Sequence, residues 1–71
     1  MIVLNTTQGN AIAIHPEDIE LLLATTGTIR GNYNQPYTEV HRKGSSTVYH
    51  VTQSVKAILQ AMKEATENEN T

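Results

Sequence analysis

Apolar and polar positions alternate along much of this chain, and near residue 50 the alternation gives way to another period. Tyr49 and Val51 share one face of a strand, after which Val55, Ile58, Leu59 and Met62 recur at helical spacing. A period of 2 becomes a period of 3.6 within a few residues. The pattern predicts a strand feeding an amphipathic helix, which must lie back on a sheet to bury its stripe. Thr52 or Ser54 is the expected helix cap. The helix is expected to run to about Ala65, leaving Glu67 to Thr71 as a polar tail.

The same reading sets out the rest of the chain. Ile2 and Leu4 alternate, Gln8-Gly9-Asn10 is a turn signal, and Ile12 and Ile14 alternate again, which predicts a hairpin. His15-Pro16 ends the second strand, because proline cannot donate to a ladder. Residues 17–25 fit two periods. Ile19, Leu22 and Leu23 fit a short helix behind Pro16, while Ile19, Leu21 and Leu23 fit a strand; a turn over residues 15–18 followed by a strand is preferred. Thr26 to Pro36, rich in Gly, Asn and Thr, reads as a long loop. Tyr37 to Arg42, with Thr38 and Val40 facing one way, and Ser46 to Val51 form a hairpin around Lys43-Gly44-Ser45. The expected fold is a small α+β domain over residues 1–66. It has an antiparallel sheet of four or five strands in two hairpins, with one C-terminal helix on one face.

Composition changes this picture in two ways. With no Phe, no Trp and 71 residues, the core must be built from Ile, Leu, Val and Ala, and a chain this short buries only about 60 % of its unfolded surface. Cysteine is absent, which removes disulfides and thiolate metal sites as staples and leaves self-association as the remaining device. The leucine run sharpens that expectation. In a strand, Leu22 points opposite to Leu21 and Leu23, so one face of the strand needs a cover, and Leu22 is the expected oligomer contact. The formal charge of -2 lacks the basic excess of most nucleic-acid binders. No apolar run approaches the ~20 residues of a membrane span. The first residues carry no basic n-region, so the expected location is cytoplasmic. A bacterial or bacteriophage source fits the size.

Met1-Ile2-Val3-Leu4, the turn at Gly9, Asp18-Ile19-Glu20, Ala24-Thr25-Thr26-Gly27-Thr28 and Tyr49-His50-Val51-Thr52-Gln53-Ser54-Val55 together form a recognisable order. It resembles the FlbD/SwrD family of small flagellar and swarming-motility proteins over residues 1–28 and 45–62. The resemblance implies a sheet-plus-helix fold and a role in motility. It brings no catalytic residues to transfer, and Ile29 to Pro36 stands out against it as an insertion.

Candidate chemistry is sparse. His41 and His50 could be cross-strand neighbours, but with no cysteine and no His-x-x-x-His spacing no metal is expected. Glu39 and His41 share a strand face and could orient an imidazole. Ser45-Ser46 lacks a nucleophile elbow, Gly27 to Gly31 lacks phosphate-loop spacing, and Glu17, Asp18 and Glu20 read as a solvated turn. The stronger grouping is Arg30, Tyr33, Tyr37, Arg42 and Lys43, since Tyr and Arg are enriched at binding hot spots. The expectation is a non-enzymatic interaction or regulatory protein without a cofactor. It binds a protein partner as a homo-oligomer. The alternative is a nucleic-acid or nucleotide-binding protein that uses those five residues.

Overall fold

The computed structural model describes residues 1–69. Strands β1 (Ile2–Asn5) and β2 (Ala11–Ile14) form one antiparallel pair, and β3 (Ile19–Ile29), β4 (Asn32–Arg42) and β5 (Val48–Val51) form a three-stranded antiparallel sheet in the order β3-β4-β5. Helix α1 (Val55–Glu69) follows. This is the small α+β architecture expected from the alternation, with five strands in all. The helix continues through three of the residues expected as tail, and residues 70 and 71 lie outside the described part.

A single bridge joins the two sheets. Thr6 faces Val51, the Thr7 N–H donates to the His50 carbonyl at 2.9 Å, and the Thr52 N–H donates to the Asn5 carbonyl at 2.8 Å. Gly9 has φ of 91° and sits in the turn that lets β2 return. A 3₁₀ turn at Pro16–Asp18 then redirects the chain. It is held from both sides, because the Asp18 N–H donates to His15 and the Lys43 N–H donates to the Asp18 carbonyl. This anchoring resolves the two-period segment. The 3₁₀ turn takes up Pro16 to Asp18, and Ile19 onward is strand.

Ile2, Leu4, Ile14, Val40, Val51 and Ile58 are buried, with Ile12, Ile19, Leu22, Tyr49, Ala61, Met62 and Ala65 packed around them. Alternation places the strand members, as expected. The helix face differs from the expected stripe: Ile58 is fully buried, whereas Leu59 is 53 % exposed. The inward line runs Ile58, Ala61, Met62, Ala65. Small alanines allow the helix close to the sheet, and rotating Ala61 and Ala65 inward carries Leu59 out. Ser54 is the cap, its hydroxyl accepting from the Ala57 N–H at 3.1 Å.

Thr26 to Pro36 is not a loop. β3 and β4 pair continuously through Thr26↔Pro36 and Gly27↔Gln35 to Ile29↔Asn32, and only Arg30 and Gly31 turn the chain. Their φ values are 50° and 85°, the positive pair of a two-residue hairpin turn whose twist matches the strands. The register shifts by one residue between Gly27 and Ile29. Asn34, at φ of 55°, lies in β4 beside that shift, where a β-bulge accommodates the extra residue.

Candidate functional site

The register defines a face that the core does not use. Leu22, Val40 and Tyr49 lie in one row across the three strands, and Ala24, Thr38 and Val51 in the next. Val40, Val51 and Thr38 are at most 1 % exposed, so these rows point to the core. The intervening rows point away from it: Leu21, His41 and Val48; then Leu23, Glu39 and His50; then Thr25 and Tyr37. Leu21, Leu23 and Val48 are 49 %, 46 % and 37 % exposed. An apolar margin thus flanks a polar centre on a rigid hydrogen-bonded ladder.

The polar centre is ordered by its own contacts. Glu39 and His41 are two residues apart on one strand face, and His41 Nε2 lies 3.3 Å from Glu39 Oε1. A carboxylate only accepts, so in this contact the ring nitrogen is the donor. The side chains are only 32 % and 25 % exposed, shielded between the leucines of β3 and the residues of β5. Tyr37 and His50 stack diagonally, with ring centroids 4.9 Å apart and planes tilted by 42°. Gly27 makes room for the tyrosine: a Cβ there would stand 3.0 Å from Tyr37 Cε1. The ring therefore covers bare backbone.

The five residues expected to form one patch are distributed. Arg30 is in the β3–β4 turn, its guanidinium 3.4 Å from where a Cβ of Gly9 would stand. Tyr33 is close by in sequence and 78 % exposed. Tyr37 belongs to the outer face. Arg42 ends β4, about 30 Å along the strand from Tyr33 at ~3.3 Å per residue, and its guanidinium lies 3.8 Å from the Asp18 carboxylate. Lys43 follows in the next turn. Arg30 and Tyr33 share one end of β4, and Arg42 and Lys43 the other, so no single patch contains all five.

The side chain of Leu22, expected to face another subunit, also requires correction. It lies opposite Val40, half-buried against the core, so the outward leucines are Leu21 and Leu23. The alternation was sound and the choice of face was inverted. Reading residues 26–36 as a loop leaves out the distal pairing of β3 with β4, and with it the register that places Leu22 over Val40. Leu21, Leu23 and Val48 were missed as companions of His41 and His50 on this face for the same reason.

His41 and His50 are diagonal rather than directly opposite. Among the described residues no cluster of three or more His, Cys, Asp or Glu side chains is arranged to hold a metal ion. Among the described residues, too, no helix is long and apolar enough to cross a membrane. No family model, curated protein or solved structure matches the chain.

Proposed function

We propose that this chain is a non-enzymatic binding module that engages a protein partner through the outer face of its three-stranded sheet and works as a homo-oligomer. One observation carries the reading. Exposed Leu21, Leu23 and Val48 surround polar side chains already fixed by the Glu39–His41 and Tyr37–His50 contacts. Protein interfaces combine apolar contact area, an aromatic anchor and satisfied polar groups in this way. Preordered side chains also reduce the entropy lost on association. The FlbD/SwrD resemblance agrees in one respect, a small accessory protein with no catalytic residues to transfer.

The test is capture from the native host, comparing wild type with Tyr37→Ala/Val48→Ser. Loss of a captured protein from the variant, with an unchanged melting curve, supports the reading; identical capture by both refutes it. Exposed Tyr33, three residues after Arg30 in the chain, favours a second reading, an anionic ligand such as a nucleic acid or nucleotide held at the β3–β4 turn. Arg42 and Lys43, at the other end of the strand, would not contribute to that site.

A further inference from the structure

The free side of β3 is an unusually open edge. Val51 and Thr6 face each other between the hydrogen bonds of their neighbours, Thr7 to His50 and Thr52 to Asn5. The N–H and C=O of Val51 therefore turn the other way, towards Thr38 of β4. Thr38 is then turned towards β5, and Ala24, opposite Thr38 on β3, is turned away from β4. By alternation, Leu22, Ala24 and Thr26 direct their N–H and C=O groups out of the sheet. Among the described residues none of these groups has a backbone partner. Pro36 fits the same parity. Its missing N–H would point to the β5 side, beyond the end of β5, where no ladder bond is lost.

Sheet edges in monomers are ordinarily blunted by lysine, proline, short length or bulges. β2, the edge of the other sheet, is four residues long. β3 is eleven residues long, contains no lysine and no proline, and carries one charge, Glu20, beside the register shift at its start. From Leu21 to Ile29 it is uncharged.

We infer that β3 pairs antiparallel with β3 of a second copy across a two-fold axis at Leu23, making one continuous six-stranded sheet. An edge of alternating donors and acceptors is self-complementary under a two-fold axis, and the contact closes as a dimer. With the axis at Leu23, Leu22 of each copy exchanges both backbone hydrogen bonds with Ala24 of the other. Leu23 meets its own counterpart on the outer face, beside Leu21 and Thr25. Charge selects this orientation. A parallel alignment in register stacks Glu20 on Glu20, whereas the antiparallel one sets Glu20 opposite Thr26. Leu21 and Leu23 from both copies then line the axis, so the outer binding face is shared between subunits. This inference rests on the self-association in the proposed function and identifies the surface that performs it.

The chain has no cysteine, so a single introduced thiol reports position. Residues facing each other without hydrogen bonds have Cα atoms about 4.5 Å apart, within disulfide range. Leu23→Cys should therefore form a disulfide-linked dimer under mild oxidation, while Ser45→Cys, in the β4–β5 turn, should not. Ala24→Pro removes an edge donor that the fold leaves unused. By sedimentation it should be monomeric, with the circular dichroism of wild type. If Ala24→Pro unfolds, the two cysteine variants decide. A wild type that sediments as a monomer throughout the micromolar range overturns both the edge pairing and the self-association. A dimer that survives Ala24→Pro and cross-links no better through Leu23→Cys than through Ser45→Cys overturns the edge pairing alone.

Discussion

The Thr38 hydroxyl donates to the Gln53 carbonyl at 2.7 Å, tying the buried middle of β4 to the residue before the helix cap. The Gln53 side chain makes a second tie, its Oε1 accepting from the Asn5 N–H at 3.0 Å. Gln53 is thereby the point where the two sheets and the start of α1 meet. Thr38 is the only polar residue among the fully buried ones described, and its hydroxyl is satisfied by this bond.

Thr38→Val keeps the shape and removes the donor, leaving the Gln53 carbonyl without its buried partner. The expected loss is about 1–3 kcal/mol, the cost of an unsatisfied buried group. Urea unfolding of the two proteins side by side measures it. Equal midpoints would mean that the bond is replaced by water at no cost.

Ile58 and Leu59 provide a sharper contrast. Ile58→Ala should cost roughly 2–5 kcal/mol, as buried aliphatic truncations do. Leu59→Ala should stay near the ±0.5 kcal/mol typical of surface changes. Thermal melts of both variants decide it, and a reversed order would place the helix in a different rotation about its axis.

That pair also marks how far the sequence could be read. Where inward residues alternate, as at Ile2 and Leu4 or Thr38 and Val40, burial followed directly from spacing. The junction after Val51 and the Ser54 cap were legible because both are local. Leu59 was misplaced because a large side chain outweighs alanine in any apolar pattern, whereas close helix–sheet approach favours Ala61 and Ala65. The β3–β4 turn was hidden because arginine is a poor residue for φ of 50°. Only asparagine, aspartate or glycine at that position would have signalled a two-residue turn. The outer face depended on that turn. Its residues were visible singly, but their rows are set by a register spanning the whole hairpin.

Gly27→Ala probes the Tyr37 contact. The glycine lacks a positive φ, so alanine brings no backbone strain, and its methyl group meets Tyr37 Cε1 at 3.0 Å. The tyrosine ring should lift, and its stacking on His50 should weaken. The His50 ring protons should then move towards their unstacked chemical shifts in NMR spectra, with stability lowered by about 1 kcal/mol. Unchanged His50 resonances would show that the tyrosine does not rest on Gly27.

The binding face and the dimer edge can be separated by choosing residues far from β3. Tyr37 and Val48 lie on β4 and β5, so Tyr37→Ala/Val48→Ser should leave the association of copies intact. If the outer face holds the partner, affinity should fall by roughly 2 kcal/mol or more, about 30-fold in Kd, because Tyr37 is the aromatic anchor. Arg30→Ala/Tyr33→Ala, at the turn, should bind as wild type. Salt supplies a second axis. Contacts to phosphates weaken steeply with ionic strength through counterion release, whereas an interface built on Leu21, Leu23, Val48 and Tyr37 should lose little between low and physiological salt. Calorimetric titration of the captured partner against the three proteins at two salt concentrations gives both readings. The opposite pattern, with binding lost in Arg30→Ala/Tyr33→Ala, kept in Tyr37→Ala/Val48→Ser and collapsing with salt, would move the site to the turn and make the ligand an anion.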